Sequence, residues 1–139
     1  MRALVQRVSR ASVAVDGAIV SEIGPGLLVL LGVTHEDEPR DAERLAAKTR
    51  ALRVFADANG QMNDPLGDRE ILCVSQFTLY GDARRGNRPS FVAAARPEHA
   101  LSLYELYCER AEAERGVFGA MMQVELVNDG PVTLLLESR

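Results

Sequence analysis

Two short segments hold the polar residues whose types and spacing could do chemistry. Ser75-Gln76-Phe77-Thr78-Leu79 closes a long apolar run, and Asn128-Asp129-Gly130-Pro131-Val132-Thr133 separates two further apolar runs. Strand ends and turns are the places where a rigid scaffold presents functional groups. The residues alone favour a plainer interpretation, a strand end and a hairpin turn, because Asp-Gly-Pro is ordinary turn chemistry.

The familiar catalytic and ligand-binding patterns do not occur in the chain. The sequence has two histidines, His35 and His99, and no second histidine follows His35-Glu36 at the spacing of a zinc helix. A Ser-His-Asp arrangement stays open, but nothing in the sequence supports one. Cys73 and Cys108 form no Cys-x-x-Cys pair and are expected to be buried free thiols. We therefore expect neither a metal site nor a cofactor.

Composition is that of an ordinary globular chain with a small acidic excess. Of 139 residues, 47% are hydrophobic and 26% are charged, which suits a single domain over residues 1–139. Because no apolar run approaches the ~18 residues of a membrane span and the N-terminus lacks the apolar block of a secretory signal, we expect a cytoplasmic protein without a membrane partner. The net charge of −4 argues against broad binding along a nucleic acid, and no DNA partner is expected. Arg84, Arg85 and Arg88 are equally consistent with a small phosphate patch and with a solvated loop.

Hydrophobic periodicity predicts the elements that must position these residues. Alternating or continuous apolar runs predict strands over residues 3–8, 11–15, 18–23, 26–33, 53–56, 71–79, 121–127 and 132–136. Helical spacing predicts one helix that begins near Pro39 and extends to Leu52, and a second from Pro97 to about Arg115. This order predicts an α+β fold, in which a curved mixed or antiparallel sheet, or a β-barrel, is covered by two helices.

Together the two polar segments resemble the paired motifs of the D-aminoacyl-tRNA deacylases, the D-tyrosyl-tRNA(Tyr) deacylase family. Residues 1–13, 24–32 and 88–91 are also similar to that family and follow in the same order, so the resemblance covers essentially the whole chain. The chain departs from the family at Met121, where relatives usually carry Asp, and it lacks a short insertion that precedes Gly116 in relatives. These departures affect the exit of the second helix and the contacts with tRNA, not the catalytic core.

The resemblance implies a hydrolase that cleaves the ester bond of D-aminoacyl-tRNA, which is a chiral proofreading step of translation. It further implies activity on glycyl-tRNA mischarged on tRNA(Ala). The implied partners are the aminoacylated 3′ end of tRNA and a second copy of the chain, because the family forms homodimers with two active sites at the subunit interface. It also implies a cis peptide bond between Gly130 and Pro131, in a turn that enters the partner's site beside Ser75, Gln76 and Phe77.

The family resemblance assigns the turn the role of a chiral gate. Gly130 and Pro131 would act in trans, with rigid backbone carbonyls that receive a D-residue and clash with the side chain of an L-residue. A thousandfold preference requires only about 4 kcal/mol. Arg7 would hold the gate in its orientation through hydrogen bonds to its backbone.

In the chain that receives this turn, the strand-end segment would form the pocket. Ser75 and Gln76 would line the site of the terminal adenosine, and backbone N–H groups of Phe77 and Ser90 would stabilise the ester oxyanion. Thr78 could be a nucleophile, but it has no evident base, so a structural role is favoured. The other route is substrate assistance, in which the ribose 2′-OH helps to activate water.

Two alternatives remain open at the level of sequence. One is a non-catalytic nucleic-acid-binding module on the same fold, although the chain has neither a basic tail nor a positive net charge. The other is a hydrolase of free D-amino acid esters or peptides, which activity on a substrate without tRNA would reveal.

Overall fold

The computed structural model describes residues 1–139 as a mixed, curved sheet with two helices packed against it. The helices are α1 (Pro39–Ala51) and α2 (Pro97–Ala111), and a short 3-10 turn occupies Phe77–Tyr80. The strands are β1 (Arg2–Val15), β2 (Ala18–Ile23), β3 (Gly26–Gly32), β4 (Phe55–Ala56), β5 (Met62–Asp64), β6 (Glu70–Ser75), β7 (Glu114–Arg115) and β8 (Gln123–Glu137). The predicted α+β class is confirmed. No helix has the length and apolar character needed to cross a membrane.

Strand β1 organises the sheet because it pairs along both of its edges. One edge carries β3 and then β2, both antiparallel, and the other edge carries β8 over nearly its whole length. The sheet continues from β3 through two parallel neighbours, β6 and β7, while β4 and β5 form a separate small hairpin. Contacts of β2 with β6 and β7 accompany the curl of the sheet.

The sheet separates two apolar clusters, and β3 contributes to both. Leu27 and Leu31 face the larger cluster, which contains the buried faces of α1 and α2, including Leu45 and Tyr107. Leu28 points to the smaller cluster, which also contains buried residues of β1, β2 and β6 and is covered by partly buried residues of β8. The prediction that this run is a central strand apolar on both faces is therefore confirmed.

Both helices begin where the proline positions predict. At the start of α1, the Asp41 carboxylate accepts the backbone N–H of Glu38 at 2.8 Å, and the Glu38 side chain completes a capping box. The second helix ends earlier than predicted, because Glu112 adopts a left-handed conformation with φ of 55° and the chain turns into β7. The predicted helical extension to Arg115 is therefore wrong.

Three predictions about strands need correction. Residues 3–8 and 11–15 are parts of one strand, β1, and not two. The strand predicted over 71–79 ends at Ser75, after which the chain forms the 3-10 turn. The turn at Asn128–Pro131 does not close a hairpin, because the segments on either side of it both pair with β1.

Candidate active site

The segment that closes β6 changes from strand to turn at one residue. The Gln76 N–H donates to the Leu31 carbonyl at 2.7 Å, which extends the pairing with β3 by one step. The Leu79 N–H then donates back to the Gln76 carbonyl at 3.2 Å, and the 3-10 turn begins. The first amides of a helix have no hydrogen-bond partner within the helix. The N–H groups of Phe77 and Thr78, at the start of this turn, are therefore available as donors.

A cavity of about 630 Å³ lies beside this turn. The strand end Val74–Phe77 forms one wall, residues 91–100 form a second, and residues 118–124 form a third. The lining is mostly apolar. The rings of Phe77 and Phe91 meet edge to face with centroids 5.2 Å apart, and both rings remain partly exposed. An apolar cavity with an aromatic pair and a few polar groups suits a flat, partly polar ligand.

The hydroxyl of Thr78 has no catalytic base. It accepts a hydrogen bond from the side-chain amide of Gln76, and the side chain is exposed. His35 and His99 are bound through Nε2 to the backbone carbonyls of Val92 and Asp37, at 2.7 and 2.8 Å. No hydroxyl is hydrogen-bonded to either histidine, so the structure contains no Ser-His-Asp arrangement.

The backbone of Ser90 is already engaged. Its N–H donates to the Asp82 carbonyl and its carbonyl accepts the Asp82 N–H, both at 2.8 Å. Ser90 does not line the cavity, whereas the next residue, Phe91, does. Of the two amides that the sequence offers as oxyanion donors, only that of Phe77 opens a turn at the cavity wall.

The Gly130–Pro131 turn is an insertion within β8. Gln6 pairs with Thr133 and Val8 pairs with Asn128, so residues 129–132 all lie opposite a single residue of β1. The peptide bond between Gly130 and Pro131 is cis. The Asn128 side chain closes the base of the turn, since its Oδ1 accepts the Val132 N–H at 2.9 Å and its Nδ2 donates to the Thr133 hydroxyl at 2.8 Å.

Arg7 is the residue opposite the insertion, and its guanidinium is hydrogen-bonded to the turn. Nε donates to the Asp129 carbonyl at 3.0 Å, and Nη1 donates to the Val54 carbonyl at 2.6 Å. A Cβ atom at Gly130 would lie 2.6 Å from Nη2 of Arg7, and Gly130 has φ of 126°, a value that L-residues rarely adopt. The positive φ, together with the close approach of the Arg7 guanidinium, thus favours glycine at this position.

Within one chain, the predicted site residues fall into two separate groups. Ser75, Gln76 and Phe77 line the cavity, whereas Arg7 and the Gly130–Pro131 turn do not. The resemblance assigns the turn to the site of a partner chain, and that assignment stays a prediction.

The sequence predicted no role for four residues that build these two groups. They are Phe91, Phe118, Met122 and Asn128. The local signal for Asn128 was present, since an Asn that precedes Gly by two positions is typical of a side-chain-closed turn. The other three reach the cavity only through the folding of distant segments.

Burial raises the pKa of two groups on the segment that runs from β6 into the turn. Burial raises the pKa of the Cys73 thiol well above its usual range, so Cys73 lies behind the wall as a thiol and not as a nucleophilic thiolate. Burial also raises the pKa of Tyr80, at the end of the turn, to about 12. No three His, Cys, Asp or Glu side chains are grouped so that they could hold a metal ion.

The chain is similar to known proteins over its whole length. The family model described as D-Tyr-tRNA(Tyr) deacylase matches residues 4–137. A D-aminoacyl-tRNA deacylase of Anaeromyxobacter dehalogenans is 58% identical over 146 aligned positions, which cover 100% of this chain and 98% of the relative. The alignment is longer than the 139 residues of this chain, so the relative carries residues that this chain lacks.

Two solved structures share the fold. One, described as "c-Myc DNA Unwinding Element Binding Protein", is 44% identical with a TM-score of 0.94 and covers 100% of this chain and 99% of its own. The other, described as a probable eukaryotic D-amino acid tRNA deacylase, is 15% identical with a TM-score of 0.83, covers 98% of each chain and supports the fold alone. On the family match and the full-length identity, this chain belongs to the D-Tyr-tRNA(Tyr) deacylase family.

Proposed function

We propose that the chain hydrolyses the ester bond of D-aminoacyl-tRNA and releases free tRNA and the D-amino acid. The observation that carries this proposal is that the family segment Ser75–Phe77 forms a wall of the largely apolar cavity. Family membership and the names of the full-length relatives support the same activity. The 3′ end of the tRNA then occupies the cavity, with its terminal adenine near the rings of Phe77 and Phe91, where stacking stabilises any base.

The reaction needs positioning more than it needs a strong nucleophile. Water attacks the ester carbonyl carbon, and the Phe77 N–H stabilises the oxyanion that develops. The ribose 2′-OH assists the loss of the water proton, the bond between the carbonyl carbon and O3′ breaks, and O3′ leaves with a proton as the tRNA hydroxyl. Thr78 supports the turn through its contact with Gln76 and forms no covalent intermediate.

Stereoselectivity comes from the Gly130–Pro131 turn of a second copy of the chain. Arg7 donates to the Asp129 carbonyl, and Asn128 Oδ1 accepts the Val132 N–H. These hydrogen bonds support a rigid gate, because they restrain the turn at both ends. A carbonyl in a fixed position can admit hydrogen at one face of Cα and exclude a side chain. Glycine presents hydrogen at both faces, so glycyl-tRNA mischarged on tRNA(Ala) is also a substrate.

A homodimer is needed to bring the gate to the cavity. The exposed apolar side chains Val127, Leu134 and Leu135 lie on β8 on either side of the turn. Exposed apolar groups around a projecting element are typical of a surface that another chain covers. We assign the dimer to the cytoplasm, where tRNA is charged and used, and the proposed reaction requires no metal or cofactor.

The decisive experiment compares D-Tyr-tRNA with L-Tyr-tRNA in the presence of EDTA. We expect fast release of D-tyrosine and near-background release of L-tyrosine, with the activity sedimenting as a dimer. Equal rates on both substrates would remove the chiral gate but leave a hydrolase. A fully active monomer would contradict the shared site.

A second candidate, non-catalytic binding of nucleic acid, has one observation in its favour. The solved structure that is 44% identical is described as a DNA unwinding element binding protein. The net charge of −4 opposes this function, since salt-driven binding along a duplex needs a basic face. Binding of duplex DNA without release of either amino acid from Tyr-tRNA would favour this candidate over the hydrolase.

A further inference from the structure

The segment between Asp82 and Glu98 has a charge composition unlike the rest of the chain. It contains four arginines and no acidic residue, while the whole chain has a net charge of −4. Because a negatively charged protein repels a polyanion, affinity for RNA must come from such local excesses of positive charge.

Residues 82–90 form a closed loop, and its one carboxylate, that of Asp82, is already paired with Arg84. Asp82 and Ser90 form two backbone hydrogen bonds across its base, both 2.8 Å long. The Asp82 carboxylate accepts Nε and Nη2 of Arg84 at 2.9 and 2.7 Å, as well as the Arg84 backbone N–H at 3.0 Å. These hydrogen bonds lower the pKa of Asp82 to about 2, so the pair stays ionised and internally neutral.

Arg85 and Arg88 are left without a partner. Both are exposed, and neither makes an ion pair, a side-chain hydrogen bond or an aromatic contact. Most other cationic side chains of the protein are engaged, for example Arg2 with Glu137 and Arg110 with Glu43. Outside the segment, the unengaged ones are Arg44, Lys48 and Arg115.

The same segment forms a wall of the cavity. Phe91 follows the loop directly, and Phe91, Ala94, Ala95 and Pro97 line the cavity from this side. Gly81 packs against the Phe91 ring, since a Cβ atom there would lie 2.9 Å from it. The loop that carries the free guanidinium groups is therefore anchored at both ends to the rim of the cavity.

We propose that Arg85 and Arg88 bind backbone phosphates of the nucleotides that precede the terminal nucleoside of the RNA. This inference rests on the function proposed above, since a 3′ end inserted into the cavity must carry its preceding phosphates past the rim. Arginine suits this task because its planar fork can donate two hydrogen bonds to one phosphate. The loop thus acts on affinity for the RNA strand and not on the chemistry of the ester.

The test separates the nucleoside from the phosphates. The Arg85→Ala/Arg88→Ala double variant is assayed on D-Tyr-tRNA and on D-tyrosyl-adenosine, which has the ester and the terminal nucleoside but no phosphate. We expect kcat/KM on D-Tyr-tRNA to fall roughly tenfold at low salt through KM, with no change on D-tyrosyl-adenosine. The slope of log(kcat/KM) against log[salt] should shrink in magnitude by about 1.4, because each single-strand phosphate contact contributes about 0.7.

Two further variants serve as controls. Arg44→Ala/Lys48→Ala removes the same charge from unengaged side chains of α1 and should match the wild type on both substrates. Arg85→Lys/Arg88→Lys keeps the charge and should therefore retain most of the salt slope. A salt slope as small as that of the double alanine variant would show that the loss does not come from the missing charge.

Each contrary result identifies what has failed. An equal loss of kcat/KM on both substrates, or an unchanged salt slope, would overturn the phosphate contact. The same conclusion would follow if the double alanine variant were as active on D-Tyr-tRNA as an active wild type. A wild-type protein that releases D-tyrosine from neither substrate would overturn the proposed function itself.

Discussion

The two regions that the family motifs build differ in what they present, one a backbone turn fixed by side chains and the other an apolar wall. The Gly130–Pro131 turn is clamped, with Arg7 donating to the turn and to Val54, and Asn128 bonded across its base. The cavity wall instead presents exposed aromatic side chains. Phe77 is 54% exposed, Phe91 is 39% exposed, and their rings contact one another.

This difference matches two different demands on the site. Discrimination at Cα depends on backbone atoms fixed to within a fraction of an ångström, which is what a hydrogen-bonded clamp provides. Acceptance of many side chains and of a stacked base depends on apolar area, which tolerates small displacements. We therefore expect changes in the clamp to affect stereoselective turnover and changes in the wall to affect substrate affinity.

The largest effect should come from Gly130→Ala. The added methyl group would lie 2.6 Å from Nη2 of Arg7 at a residue with φ of 126°, so the turn or the guanidinium must move. We expect kcat/KM on D-Tyr-tRNA to fall by about 10²–10³-fold, because the turn no longer meets Cα in the productive position. Single-turnover deacylation of both stereoisomers measures the loss.

Gly17→Ala is the matched control for backbone strain. Gly17 also has a positive φ, 81°, but a Cβ atom there would meet nothing within 4 Å. This variant should lose about 1–2 kcal/mol of stability and keep its activity. Wild-type turnover in Gly130→Ala, at a comparable loss of stability, would show that the clamp is not required.

A smaller loss is expected for Arg7→Lys. The guanidinium reaches two carbonyls at once, of Asp129 and Val54, whereas an ammonium on a flexible stem satisfies only one of them in a fixed direction. We expect about a 10- to 100-fold decrease in kcat/KM for D-Tyr-tRNA. Arg10→Lys, on the same strand, alters only an exposed 3.8 Å ion pair with Glu125 and should have no measurable effect. Equal activity of the two variants would place the rigidity of the turn elsewhere.

The clamp also shows what local sequence can and cannot predict. The run 26–33 was predicted correctly as a central strand, since periodicity reports burial directly. The chain at 128–133 was predicted as a hairpin, because its residues encode a turn but not the partner of the flanking strands. Both flanking segments pair with β1, and no local signal distinguishes that arrangement from pairing with each other.

The end of β6 illustrates the same limit at the cavity. Gln76-Phe77-Thr78-Leu79 continues the polar-apolar alternation of a strand, so periodicity extends the strand to Leu79. The neighbouring strand β3 ends at Gly32, where a Cβ atom would lie 3.1 Å from the Gln76 carbonyl. After Gln76, the segment that follows β6 leaves the sheet and forms the 3-10 turn. The turn that provides the Phe77 amide therefore depends on a contact between distant segments. The assembly of the cavity from three separate segments depends on contacts of the same kind.

Phe91→Leu tests the aromatic wall of the cavity. Leucine retains apolar volume but cannot stack on a base or meet the Phe77 ring edge to face. We expect KM for D-Tyr-tRNA to rise about 5- to 10-fold, with kcat and the preference for the D-isomer retained. Val92→Ala, at the adjacent and highly exposed position, should leave KM unchanged. A loss of stereoselectivity in Phe91→Leu would contradict the division of labour between clamp and wall.

Thr78→Val should have the smallest effect and tests whether the wall supplies any chemistry. Valine keeps the branched shape of threonine and removes only an exposed hydroxyl, whose hydrogen bond to Gln76 holds that side chain in place. Because an exposed hydrogen bond contributes about 1 kcal/mol or less, we expect no more than about a fivefold change in kcat. A covalent nucleophile would instead cost about 10³-fold or more on removal, and a burst of tRNA release would precede steady-state turnover in the wild type. A loss of that size in a folded variant would make the wall a catalytic element, and the comparison between a rigid gate and a passive pocket would no longer hold.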